Sequence, residues 1–211
     1  MDLNLKGKKA VVCGSTQGIG RASAIELALL GASITLVARN EEKLQRVIAE
    51  LPADGGQKHE YLVADFNDPA ELHAKIEKYA QLNEAHILIN NTGGPPAGQA
   101  IDAKPEEFVK AFSNHLLCNQ ILTQALVPGM KKAGYGRIIN IISTSVKSPI
   151  KGLGVSNTIR GAVANWSKTL SLELGQFGIT VNNVLPGTTM TSRLEFVMSE
   201  TAKKTGKTMD E

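Results

Sequence analysis

Short runs of aliphatic residues alternate with longer stretches of mixed polarity from one end of the chain to the other. The runs at 9–13, 33–38, 60–64, 87–90, 137–142 and 180–185 are rich in Val, Ile and Leu, and they predict strands. Segments near 18–30, 41–51, 69–81, 105–133 and 153–177 carry apolar residues at helical spacing and predict helices. Strands that are apolar at successive positions, joined through helices, imply a parallel sheet covered on both faces. Right-handed crossovers then give an α/β, doubly wound sheet of the Rossmann type, with its ligand crevice at the strands' C-terminal ends. No repeat or low-complexity linker interrupts the pattern, so residues 1–211 read as a single domain.

Composition narrows the partners. The formal charge is +3 and the lysines are scattered, which points away from nucleic acid; the run from Lys203 to Lys207 reads as a solvated segment. No apolar run has membrane-spanning length and the N-terminus lacks a signal-peptide core. Cys13 and Cys118 lie among apolar neighbours and are too few for a disulfide framework, so buried reduced thiols in a cytoplasmic protein are expected. His59, His73, His86 and His115 show no ligand spacing, and no metal site is assigned.

Candidate chemistry begins behind the first strand. Cys13-Gly14-Ser15-Thr16-Gln17-Gly18-Ile19-Gly20 follows the apolar run and opens into a helix at Arg21. Gly14 suits dihedrals closed to other residues, while Gly18 and Gly20 keep Cβ atoms away from a pyrophosphate. The helix's first amides and its positive dipole end then face the phosphates. The spacing alone also fits a tight turn that holds no ligand.

Three more strand ends carry related signals: Asn90-Asn91-Thr92-Gly93, the run from Gly136 to Ser143, and Gly178 through Pro186-Gly187 to Thr191. Together with the glycine loop these resemble the short-chain dehydrogenase/reductase family, including its 3-oxoacyl-acyl-carrier-protein reductase-like members. The resemblance implies a nicotinamide dinucleotide held by Gly14, Gly18, Ile19, Gly20, Asn91 and Gly93. It implies Asp65 at the adenine, and Pro186, Gly187, Thr189 and Thr191 at the carboxamide. NAD enzymes carry an acid about 20 residues beyond the loop. Here the second strand ends Ala38-Arg39, where alanine leaves room for a 2′-phosphate and Arg39 can meet it, with Ser15 adding a hydroxyl. NADP(H) is therefore expected over NAD(H), though Arg39 could instead pair with Glu41 or Glu42.

The resemblance also assigns Ser143 to the reacting oxygen and Asn114 to a proton relay, and then it breaks. The family's tyrosine follows its serine by about a dozen residues and precedes its lysine by one helical turn. Those positions hold Ser156 and Arg160. Tyrosine starts near pKa 10 and can be drawn toward neutrality, whereas a serine hydroxyl starts far higher and Arg160 cannot relay a proton. Two readings follow. The site acts as a carbonyl/alcohol oxidoreductase with altered proton transfer, the proton coming from water or from Lys147, Lys151 or His115. Alternatively, the chain is a silent NADP(H)-binding sensor or partner subunit. For Lys147, Lys151 and His115, an exposed or packed side chain is the competing reading.

Residues 194–211 look like the start of the family's substrate loop and next helix, with its last strand missing, as in a trimmed form of a longer protein. Trp166, Val163, Leu170 and Leu174 form a stripe that serves either the core or a homodimer or homotetramer interface.

Overall fold

Alternate side chains along each strand leave on opposite faces, so a strand that is aliphatic throughout needs cover on both. The computed structural model describes residues 3–191 together with Ser199. Six strands, β1 (Lys9–Cys13), β2 (Ser33–Ala38), β3 (Glu60–Val63), β4 (Ile87–Asn90), β5 (Gly136–Ile141) and β6 (Ile179–Val184), pair in parallel in the order β3-β2-β1-β4-β5-β6. Ala10 and Val12 of β1 pack with Ala24 and Ala28 of α1 (Gly18–Leu29) and with Leu44 and Val47 of α2 (Glu41–Glu50). Val11 and Cys13 pack on the other side with Leu72 and Ile76 of α3 (Pro69–Leu82) and Leu122 and Met130 of α5 (Cys118–Ala133). Each large aliphatic side chain buried this way contributes about 1.5–3 kcal/mol.

The order reverses between β1 and β4, so the connections leaving these neighbours run to opposite sides of the sheet. A crevice opens at such a switch point, beyond the C-terminal ends of the strands. Local capping fixes what borders it. The Asn40 side chain accepts from the Lys43 amide to start α2, and Asp68 accepts from the Glu71 amide to start α3 at Pro69. Asp65 is thereby left to the crevice.

The stretch expected as one helix over 105–133 is divided. It forms α4 (Pro105–Phe112), a π turn at Ser113–Leu117, and α5, with Pro128 accommodated inside α5. A π turn accommodates an extra residue without ending the helix, and such turns concentrate at functional sites. Asn114 sits in it. α6 (Gly154–Leu174) runs on into a 3₁₀ turn at Gly175–Phe177. On α6, Val163 and Leu174 are buried and Leu170 packs on the core, while Trp166 Nε1 donates to Gln120 Oε1 at 2.8 Å. Val163 and Leu174 therefore belong to the core, while Trp166 and Leu170 are half-buried. The expected partial loop and helix over 194–211 lie outside the described residues, Ser199 aside. Among the described residues, no helix is long and apolar enough to cross a membrane.

Candidate active site

The turn after β1 is shaped by contacts as well as by dihedrals. Gly14 (φ +58°) and Gly18 (φ +54°) are left-handed, a region that side chains with a Cβ rarely adopt. A Cβ on Gly14 would also stand 2.7 Å from both the side-chain amide and the carbonyl of Asn91. A Cβ on Gly20 would strike the Gly14 carbonyl and lie 2.7 Å from Asn91 Nδ2. Its backbone packs under the loop, against Gly14 and Asn91. Asn91 Nδ2 donates to the carbonyls of Cys13 (3.2 Å) and Gly14 (3.3 Å), tying the end of β4 to the glycine loop. Gln17 at the helix N-cap makes no side-chain cap bond, so no capping side chain covers the first amides of α1.

A cleft of about 790 Å³ runs across this loop, lined by Gly14, Gly18, Ile19, Arg39, Asp65, Asn91, Gly93, Asn114 and Thr191 among others. A volume of that order suits a cofactor-sized ligand. Ser15, expected to face it, does not: it is fully buried, and its hydroxyl donates to the Val37 carbonyl at 3.4 Å. The neighbouring Thr16 lines the cleft instead. Arg39 pairs with neither Glu41 nor Glu42; among the described residues its carboxylate partner is Asp65, at 4.0 Å, and its side chain is 70% exposed. Lys43 and Lys110 add two further cations to the lining, against the carboxylates of Asp65 and Glu107. Asp65 Oδ1 accepts from the backbone and side-chain amides of Asn67, both at 2.9 Å.

The remaining candidates sit beyond β5 and β6. Ser143 follows β5 in an extended conformation, and its Oγ accepts from the Ser145 amide at 3.1 Å, starting the 3₁₀ turn Thr144–Val146. The Thr144 amide donates to the Pro186 carbonyl, joining this turn to the segment after β6 that carries Gly187 and Thr189. Ser156 and Arg160 are one turn apart on α6 and share a face. Arg160 Nη1 donates to the Ile141 carbonyl at 2.8 Å, two residues before Ser143. Asn114 faces the other way: its Nδ2 donates to Asn67 Oδ1 at 3.1 Å, on the loop after β3. Beneath these groups lies a buried polar chain. Asn90 Nδ2 donates to Asn140 Oδ1, and Asn140 Nδ2 donates to Ser167 Oγ, both at 2.8 Å.

The remaining ionisable candidates sit in different surroundings. Lys147 and Lys151 are exposed. Burial pushes Tyr79 up to about 12, and its hydroxyl shares a 2.8 Å hydrogen bond with Thr35. Burial likewise raises the Cys13 thiol and lifts Cys118 to about 12. Tyr61 donates to Glu41, and Tyr135 stacks between Lys8 and Arg137 at the opposite end of the sheet. His115 is buried and lines the cleft.

The family model of short chain dehydrogenases matches residues 8–202. The chain belongs to the short-chain dehydrogenase/reductase family. It is 34% identical over 188 residues to the 3-oxoacyl-(acyl-carrier-protein) reductase FabG of Escherichia coli, covering 88% of this chain and 75% of that one. It is also 31% identical over 196 residues to the human inactive hydroxysteroid dehydrogenase-like protein 1, covering 90% of this chain and 59% of that protein. The L-sorbose reductase of Gluconobacter frateurii, solved with NADPH and L-sorbose, superposes with a TM-score of 0.91 at 31% identity, covering all of this chain and 80% of that one.

Short-chain dehydrogenase sequence patterns lead to the loop glycines, Asn91 and the strand ends, but not to Thr16, Lys43 or Lys110. Thr16 is hidden because side-chain direction inside a turn is not periodic. Lys43 and Lys110 do carry a faint signal, each standing four positions from a candidate residue, Arg39 and Asn114.

Proposed function

We propose that this short-chain dehydrogenase is an NADP(H)-dependent oxidoreductase of carbonyl or alcohol substrates with an altered proton-transfer site. The observation that carries it is the exposed guanidinium of Arg39 at the end of β2, in the cleft that the glycine loop opens. There it meets a 2′-phosphate, helped by Lys43 and the Thr16 hydroxyl, while Ala38 leaves room. Gly14, Gly18 and Ile19 lie along the pyrophosphate and Gly20 supports the loop. Asp65 receives the adenine, Asn91 and Gly93 border the far ribose, and Pro186, Gly187, Thr189 and Thr191 border the carboxamide. Bound there, reduced nicotinamide supplies a hydride. Ser143 hydrogen-bonds the substrate oxygen, Ser156 and Arg160 stabilise charge on it, and Asn114 orders water between the cleft and the β3 loop. The unit is one dinucleotide-binding domain of a cytoplasmic homodimer or homotetramer acting on a small molecule.

A second reading, a silent NADP(H)-binding sensor or partner subunit, draws support from the relative whose name declares it inactive. Calorimetric titration of wild type and Arg39→Ala with NADPH and NADH, followed by NADPH-consumption assays, tests both readings. Selective loss of NADPH affinity in the variant supports the cofactor assignment; equal loss of both refutes it. Binding without turnover on any carbonyl favours the silent reading.

A further inference from the structure

In the reading above, Ser143 at the end of β5 and Ser156 and Arg160, one turn apart on α6, hold the substrate oxygen, and none of the three exchanges a proton near neutral pH. Arg160, anchored at 2.8 Å to the Ile141 carbonyl, sits at the strand end that carries Ser143. Ser156 is one turn away on the same helix face, and the 3₁₀ turn that Ser143 starts packs against α6. Serine hydroxyls are too weakly acidic to give up a proton near neutral pH, and a guanidinium keeps its charge beyond pH 12 or so. Such a set holds an anion but cannot protonate one. A simple ketone that accepts a hydride becomes an alkoxide, which needs an acid as it forms. A conjugated carbonyl becomes an enolate or a phenolate, whose hydroxyl is about as acidic as tyrosine's, near pKa 10 or so. Water suffices to protonate that anion afterwards. Ser145 Oγ and Asn157 Oδ1, next to Ser143 and Ser156 in the chain, are buried without a hydrogen-bond partner. Orphan polar atoms of this kind are commonly satisfied by internal water.

We propose that the substrate is a conjugated carbonyl, an enone or a quinone, whose hydride adduct is a delocalised oxyanion held by Arg160, Ser143 and Ser156. This rests on the NADP(H) reading above. With an enone, the β-carbon gains a C–H bond from the NADPH hydride and the C=C pair shifts onto the oxygen. The α-carbon of the enolate then takes a proton from water. The balance is enone plus NADPH plus H⁺ giving saturated ketone plus NADP⁺. A quinone accepts the same hydride and proton to give a hydroquinone.

Two measurements test it, with NADPH binding followed by thermal shift in each sample. In turnover, cyclohexenone or benzoquinone is consumed with kcat/KM about a hundredfold above that of cyclohexanone, the share otherwise supplied by a general acid. In binding, para-nitrophenol titrated against the NADP⁺-saturated protein by absorbance shows a bound pKa lowered by about one unit or more. Arg160→Met abolishes that lowering while the NADPH thermal shift persists, and Ser143→Ala, the check if Arg160→Met fails to fold, diminishes it. Cyclohexanone reduced as fast as the conjugated substrates, or para-nitrophenol left unshifted while NADPH binds, overturns this inference alone. If NADPH gives no thermal shift, the cofactor reading falls with it.

Discussion

The two halves of this sheet have different relations to their ligand. On the β1–β3 side, the requirements are shape and charge: left-handed glycines at 14 and 18, Gly20 flush against Asn91, and Arg39, Lys43 and Asp65 around an open cleft. On the β4–β6 side, the scaffold is equally well built. Asn90 and Asn140 lock the strands, and Thr144 ties the Ser143 turn to Pro186. Yet the groups at the family's catalytic positions there are Ser143, Ser156 and Arg160, with no tyrosine–lysine pair among them. A Rossmann sheet lets these two functions diverge, because binding is lodged in one set of loops and reaction chemistry in another.

The sharpest way to break the contrast is to restore an acid. Ser156→Tyr with Arg160→Lys should raise NADPH-dependent reduction of a simple ketone by about 10²–10⁴-fold, measured as kcat/KM. No gain with cofactor still bound would mean that more than proton transfer separates the halves. Next in size is Gly20→Ala, whose methyl meets the Gly14 carbonyl. It should cost about 3 kcal/mol in denaturant unfolding and abolish NADPH binding, since the obstacle is backbone and cannot swing aside. Asn140→Leu tests the scaffold of the other half. It leaves Asn90 Nδ2 without its acceptor, while Ser167 keeps the Val163 carbonyl and Asn183, and should cost about 2 kcal/mol while leaving NADPH affinity nearly unchanged. Arg39→Ala should weaken NADPH by about tenfold in calorimetry, a modest figure because the side chain is largely exposed.

The smallest effect lies far from the site. Burial lowers the His86 pKa first, and Lys8 lowers it further, while the Lys9 amide donates to His86 Nδ1. A depressed histidine pKa means that the folded state binds the proton less readily than the unfolded chain. This contribution to stability is complete above the ordinary histidine pKa and is lost as pH falls through it toward the lowered value. The melting-temperature gap between wild type and His86→Gln should therefore shrink between about pH 8 and pH 5. A gap that does not move would show that His86 titrates alike in both states.

The inner strands were legible because burial on both faces leaves no polar gap: Val11 and Val12 already point to opposite cores. The π turn at Ser113–Leu117 was not, because no Gly or Pro marks it and the apolar periodicity continues on either side. Spacing from motifs leads to Ser143, Ser156 and Arg160 as residues, but not to the guanidinium's anchor on the Ile141 carbonyl, which depends on how α6 packs against β5. Ser15 and Thr16 illustrate the same limit at its finest grain. Of these adjacent residues in one turn, Ser15 turns its hydroxyl to a β2 carbonyl and Thr16 lines the cleft, and only the folded backbone decides which.

On the function proposed above, an NADP(H)-binding half is joined to a half with altered proton transfer. The most direct test is calorimetric titration of the purified protein with NADPH and with NADH. The account predicts saturable NADPH binding at least about tenfold tighter than NADH, the discrimination expected of a charge-assisted contact to the 2′-phosphate. Equal affinities, or no binding of either, would contradict it.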